Sequence, residues 1–153
     1  MPLWAATAEA AAVPATMNTI LEVNPPATRY TRITEASITF SGVSATDVPV
    51  LIQFVEVTAT SAAGTAVTPA SVQDMIAGMT AGATSKKLPA TEGTVVVIKT
   101  YNVPLSSGLV IQYPLGREPF ITGAAATARG FAIRANRGSG AAINADCNIE
   151  WEE

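Results

Sequence analysis

The sequence predicts an all-β protein, a single-domain β-sandwich or jelly roll of about eight strands. Runs rich in β-branched and aromatic residues alternate apolar and polar positions, and Gly, Pro and Ser turns separate these runs. The chain has 153 residues, which suits one domain with a single hydrophobic core.

The most regular run is the last one, and it is the strongest strand signal. Because side chains on a strand alternate between two faces, the odd-numbered residues here share one apolar face. This face consists of Ile143, Ala145, Cys147, Ile149 and Trp151. The other face consists of Asn144, Asp146, Asn148, Glu150 and Glu152. The pattern predicts a half-buried strand that is paired within a sheet.

Seven further segments have the composition of strands. In chain order they are residues 30–40, 48–60, 84–88, 94–103, 106–115, 117–123 and 129–136. The segment 48–60 is apolar on both faces, which favours a central strand or one covered by a second protein.

Residues 1–28 differ in composition from the rest of the chain. They are rich in alanine and contain four prolines. Proline keeps the residue before it extended, so we interpret this segment as an extended N-terminal arm, followed by a sandwich domain over residues 29–153. Leu3 and Trp4 require burial. The segment is therefore either a loosely ordered tail or an arm that lies on a neighbouring subunit.

Residues 61–83 carry little strand signal and contain the one candidate helix. Ser71 and Asp74 have the spacing of a capping box. Val72, Met75, Ile76 and Met79 follow helical spacing. Gly78 weakens this pattern, so the sequence predicts at most one short helix.

The low charge of the chain favours a protein partner over nucleic acid. Only 14% of the residues are charged, against about 25% in an average soluble domain, so a partner protein can cover the surface while desolvating little charge. The net charge of −3 argues against nucleic-acid binding. No apolar run is as long as a membrane span, and the N-terminus lacks the features of a signal peptide. We expect synthesis in a host cytoplasm, no membrane and no nucleic acid.

The residue types exclude most catalytic centres. The chain has no histidine, the commonest general base and a frequent zinc ligand. The single cysteine, Cys147, falls on the apolar face of the last strand, where a buried thiol is expected. Asp146, Glu150 and Glu152 share a face, with Glu118 as a neighbour, but no aromatic residues surround them to hold a sugar. We expect no enzyme activity, no cofactor and no metal site.

Two segments carry arginines at turns. Arg129, Arg134 and Arg137 surround the sequence RGSG, which lacks the spacing of a phosphate-binding loop and is interpreted as a tight turn. Such arginines can bind carboxylates of a partner or of a second copy. In VIQYPLGREPF, two prolines and a glycine place Arg117 and Glu118 at a rigid corner between two strands.

These strings carry a resemblance to a known group of proteins. YPLGREPFITG, GFAIRA, the closing IEWEE and the early ITFSGV are similar to segments of small virion proteins encoded beside the major capsid protein in tailed bacteriophages. The similarity covers roughly residues 30 to 153, and its motifs are structural.

The resemblance implies a head decoration (capsid cement) protein of the β-sandwich or jelly-roll type. Such a protein sits on the exterior of the phage head, commonly as a homotrimer, and reinforces the expanded shell; its partners would be the major capsid protein and copies of itself. Candidate intersubunit or capsid contacts are Leu3, Trp4, Arg117, Glu118, Arg129, Arg134, Arg137, Glu150, Glu152 and Glu153.

Two other classes stay open at this point. A carbohydrate-binding or fibre-type surface module that binds host-surface glycans would need exposed aromatic residues, and the chain has few Trp and Tyr. A tail-tube or tail-terminator protein would form hexameric rings instead of trimers.

Overall fold

A computed structural model of the chain describes residues 1–41, 48–72, 80–123 and 129–153. These residues form twelve strands and no helix, which confirms the all-β prediction. The strands are β1 (Leu3–Ala12), β2 (Asn18–Asn24), β3 (Tyr30–Ser41), β4 (Val50–Ala59), β5 (Thr65–Val67), β6 (Ala70–Ser71), β7 (Thr84–Lys87), β8 (Thr94–Val103), β9 (Leu109–Gln112), β10 (Phe120–Thr122), β11 (Gly130–Asn136) and β12 (Asn144–Glu152).

The strands make two antiparallel sheets of six strands each, packed as a β-sandwich. The front sheet has the order β10-β3-β12-β1-β6, and β9 also pairs with β3. The back sheet has the order β5-β7-β2-β11-β4-β8. The jelly-roll connectivity expected from the sequence stays a prediction.

The core lies between the two sheets and follows the alternation read from the sequence. The apolar face of β12 is buried along its whole length, and Trp151 is opposite Trp4 on β1 and Ile33 on β3. On the back sheet, Phe54 and Phe131 stack with their ring centroids 6.1 Å apart. Burial of such large aromatic and branched side chains supplies most of the stabilisation of the sandwich.

All eight strands predicted from the sequence are present as β3, β4 and β7 to β12. β4 is an internal strand, as its two apolar faces indicated. Its inward residues join the main core, while Val55 and Val57 form a small separate cluster with Ala132 on the outer face of the back sheet.

The predicted N-terminal arm is wrong. β1 lies inside the front sheet between β12 and β6, and β2 lies inside the back sheet between β7 and β11. The prediction failed because alanines occupy the buried positions of β1, where Ala6 and Ala8 follow Trp4, so the segment lacks bulky strand-forming residues. In β2 the acidic Glu22 interrupts the apolar residues although it is itself buried.

Two short sequence predictions lie outside the described residues. Residues 73–79 hold most of the candidate helix, and residues 42–47 hold the end of the early phage-like motif. Ser71 itself belongs to β6, which pairs with β1.

Two loops cover part of the outer face of the back sheet. Residues 60–64 and 88–93 are joined by backbone hydrogen bonds, from Ala62 N–H to Thr91 O (2.8 Å) and from Ala90 N–H to Ala63 O (2.9 Å). Side chains from both loops bond to residues on the outward side of β2 and β11. We call this part of the molecule the covered face.

Candidate interaction surface

Exposed large apolar side chains gather at one side of the sandwich, where β8 borders the back sheet and β9 and β10 border the front sheet. We call this side the open flank. Its exposed members are Tyr30, Val96, Val97, Ile98, Val110, Leu115 and Phe120. Several large apolar side chains exposed in one region favour interaction with another macromolecule.

The edge strand β8 of the open flank is long compared with the other edge strands. β8 has 10 residues, whereas the edge strands β5, β6, β9 and β10 have three, two, four and three. Short edge strands protect a sheet against further pairing. β8 lacks this protection and carries Val96 and Ile98 exposed at 53% and 42%. The back sheet therefore presents one free edge that another strand can extend.

A groove runs beside this edge, between β8 and the corner formed by residues 113–119. Its volume is about 490 Å³. The groove is lined by Ile98, Lys99, Tyr101, Ile111, Gln112, Tyr113, Pro114, Arg117, Glu118 and Pro119. A smaller hollow of about 140 Å³ continues it past Ile98 and Pro119 towards Phe120 and the core residue Phe131. The two sheets are thus not closed over the core at this flank.

The corner has the rigid geometry that its sequence predicted. Arg117 N–H donates to Pro114 O at 2.9 Å, and Gly116 adopts a φ of 83°, which favours glycine. Glu118 Oε2 accepts a bond from Gly116 N–H at 2.6 Å. The Arg117 side chain has no hydrogen bond or ion pair with the described residues, and the same holds for Lys99 on β8. Both cations line the groove.

Tyr113 supplies a polar group at the groove wall. Its hydroxyl is buried and has no hydrogen-bond partner among the described residues. Burial, with a smaller contribution from Tyr101, raises the pKa of Tyr113 to about 12. A buried hydroxyl without a partner costs stability.

The structure separates the three arginines that the sequence placed in one group. Arg129 lies at the open flank, 3.3 Å from Glu56. Arg137 donates to the backbone oxygens of Val13 and Gly140 and so fixes its own turn. The expected cluster for binding a partner is therefore not formed, because each of the three guanidinium groups bonds at a different place within the chain.

The third arginine, Arg134, forms a clamp on the covered face. It donates to both carboxylate oxygens of Glu92, with two bonds of 2.6 Å, and to Gln53 Oε1 at 2.8 Å. Thr19 Oγ1 donates to the same carboxylate. This bidentate pair fixes the loop that covers the sheet. Arg134 is the arginine of the phage-like string GFAIRA, so that arginine has a structural role within the chain.

The acidic candidates near the C-terminus lie in two places. Glu150 and Glu152 are half-buried on the outer face of the front sheet, where Glu150 is opposite Glu35 and Glu152 lies 3.7 Å from Arg32. Glu153 accepts a bond from Ala83 N–H at 2.9 Å. None of the three lines the groove.

The two expected arm anchors are not free. Trp4 is 2% exposed within its own chain, so it cannot anchor a neighbouring subunit without unfolding β1. Leu3 is half-buried and lies opposite Glu152 in the front sheet. Of the ten candidate contact residues, the groove contains Arg117 and Glu118.

Two groups of residues, one polar and one apolar, were not predicted from the sequence. The first is a buried network on the covered face, in which Glu22 Oε1 accepts from Asn24 Nδ2 (2.8 Å) and Thr60 Oγ1 (3.0 Å), with Lys86 Nζ 3.7 Å away. No sequence signal marks Glu22 as buried. The second is the exposed run of Val96, Val97 and Ile98 in β8, for which the lack of apolar–polar alternation in the sequence is a usable signal.

The described residues contain no group of three or more acidic or cysteine side chains placed to hold a metal ion. Asp146 accepts a bond from Ala10 N–H, whereas Glu118 lies at the corner, so these two carboxylates are engaged separately. Cys147 is fully buried, and burial together with Asp146 raises the pKa of its thiol, which disfavours the reactive thiolate. No helix in the described ranges could span a membrane.

Comparison of the chain with protein-family models, with curated proteins and with solved structures gives no match.

Proposed function

We propose that the chain is a structural protein of a tailed-bacteriophage virion, a jelly-roll decoration protein that binds the outside of the head as a homotrimer and is not an enzyme. The observation that carries the proposal is the open flank, a free edge strand beside an apolar groove on a sandwich of low charge. The phage-like strings support it independently, and one of them, PLGRE, forms a wall of that groove.

The flank has the properties that a shell-binding protein requires. A specific protein interface buries about 1,200 to 2,000 Å² in total, and apolar side chains with few charges can be covered at a low desolvation cost. Symmetric copies then bind a shell at several points at once, so modest contacts add up to a high avidity. Reinforcement of the shell follows because each subunit joins neighbouring capsid proteins.

The direct test is co-sedimentation of the purified protein with phage heads before and after their expansion. We expect binding to expanded heads and little binding to unexpanded ones. Mass measurement in solution or on the shell should give three subunits for each assembly. Equal failure to bind both forms of head would contradict the proposal, and a mass of six subunits would favour the tail-tube or tail-terminator class.

A matched pair of variants tests the contribution of the flank. Val96→Lys places a charge on the free edge, whereas Val72→Lys changes a residue of similar exposure, 47% against 53%, next to β6. We expect the first to reduce head binding and the second to leave it unchanged. Equal binding of both variants would remove the flank from the interface.

A second candidate function is supported by one pair of aromatic rings. Tyr30 and Phe120 are exposed at 49% and 53%, with their ring centroids 4.8 Å apart. Exposed rings can stack on a sugar, so a surface module that binds host glycans is the alternative proposal. Binding on a glycan array that is lost in Phe120→Ala would favour it over capsid decoration.

A further inference from the structure

We infer that the open flank binds an extended segment of a partner protein by strand addition to β8, and that this segment carries a carboxylate. The inference rests on the proposed function only for the identity of the partner, the surface of the expanded capsid. The chemistry of the binding site follows from the groove itself.

The free edge determines the form of the partner segment. A shift in the pairing of β8 with β4 between Phe54 and Val55 bends the edge strand at Ile98. Beyond it, the stretch from Lys99 to Val103 pairs regularly with β4 and runs beside the groove. An added strand would pair along this stretch, over about 17 Å.

The groove determines which side chains the segment presents to it. Alternate residues of an added strand point to the same face, and here they would enter a groove walled by Tyr101, Ile111 and Tyr113. These walls favour apolar side chains.

The charges at the groove select a carboxylate. Lys99 and Arg117 have no partner among the described residues, whereas Glu118, the third charged residue of the lining, already accepts a bond from Gly116 N–H. The lining thus has a net positive charge, although the whole chain has a net charge of −3. An acidic segment satisfies both cations, while a basic segment would be repelled.

The test uses the full chain labelled with nitrogen-15 and two synthetic peptides of about seven residues, the usual length of a strand. Both peptides alternate valine and threonine, and they differ only at the centre, which is glutamate in one and lysine in the other. We expect amide shifts confined to β8 and to the corner at residues 113–119, with the glutamate peptide alone. Shifts with both peptides, shifts elsewhere or no shifts would overturn the inference.

A charge-reversed variant gives the quantitative readout. Lys99→Glu combined with Arg117→Glu changes two exposed side chains that make no hydrogen bond or ion pair with the described residues, so we expect an unchanged fold and a dissociation constant raised at least about tenfold. An unchanged dissociation constant contradicts the inference. The matched control is Lys87→Glu, a lysine on β7 that lies outside the groove.

The same variant, mixed with expanded heads, separates the two proposals. If the unchanged protein binds heads and the charge-reversed variant binds equally well, the groove inference fails while the decoration function stands. If the unchanged protein binds the glutamate peptide but no heads, the decoration function fails while the strand-addition site stands.

Discussion

The covered face and the open flank both include strands of the back sheet, but polar and apolar side chains are buried differently in the two regions. On the covered face even a carboxylate, Glu22, is fully buried and bonded within the chain. On the open flank valines and an isoleucine remain exposed on a free edge, and Lys99 and Arg117 have no ion-pair partner in the part of the chain that the structure describes. The difference teaches that polar contacts within the chain close the covered face, whereas the open flank keeps apolar side chains exposed to solvent.

The largest loss of stability is expected when a cation is removed from the covered face. Lys86→Met leaves the buried Glu22 without its ion-pair partner, so we expect the free energy of unfolding to fall by about 4 kcal/mol. The control is Lys99→Met on the open flank, which should change stability by less than about 0.5 kcal/mol. Urea denaturation of both variants measures the difference. Equal losses of stability would contradict the distinction between the two regions.

Two glycine substitutions compare how tightly the backbone is packed in the two regions. A Cβ at Gly93, in the covering loop, would lie 1.8 Å from Ala59 O, whereas one at Gly116, in the corner, meets nothing within 4 Å. We expect Gly93→Ala to cost about 3 kcal/mol through overpacking. Gly116→Ala should cost about 1 kcal/mol, because only its positive φ is strained. Thermal unfolding of the two variants is the measurement, and a larger loss in Gly116→Ala would contradict the account.

A conservative change of arginine should have an intermediate effect. Arg134→Lys keeps the charge on the covered face but cannot make both bonds to Glu92, so we expect a loss of about 2 kcal/mol. Arg117→Lys on the open flank has no such bonds to lose and should leave stability unchanged. Denaturation curves that coincide for the two variants would show that the clamp is not needed.

The smallest effect concerns alkaline pH at the groove. The pKa of Tyr113 is raised from its ordinary value of 10.0 to about 12, so between these pH values the unfolded chain releases a proton that the folded chain retains. Stability should therefore decline as the pH rises through this window. Absorbance titration at the tyrosinate band should show a component near pH 12 that Tyr113→Phe lacks. If that component persists in the variant, the assignment is wrong.

The sequence allowed the strands with large alternating side chains to be predicted, as in the run from Ile143 to Trp151. It did not reveal β1, because alanine has little preference for a strand and its burial depends on neighbours that are distant in sequence. The burial of Glu22 could not be predicted for the same reason. Its partners Lys86 and Thr60 are distant in sequence, and without them a glutamate is expected at the surface.

The candidate site was predictable only in part. The corner with Arg117 and Glu118 follows from its prolines and glycine, and it does line the groove. Arg134 and Arg137 were assigned to a partner because their sequence neighbours gave no hint of Glu92 or of the Val13 carbonyl. Charged residues find their partners through the tertiary fold, and a single sequence does not record those pairings.

The pairing of β1 with β12 constrains how this chain can fold while it is being made. Leu3 is opposite Glu152, and at about 5–20 residues per second a ribosome needs roughly 10 to 30 seconds to synthesise the chain between them. Throughout that time β1 has no partner on its β12 side. An unpaired strand rich in alanine aggregates more slowly than one rich in valine. The alanine content of β1 therefore lowers the risk of aggregation before β12 has been synthesised.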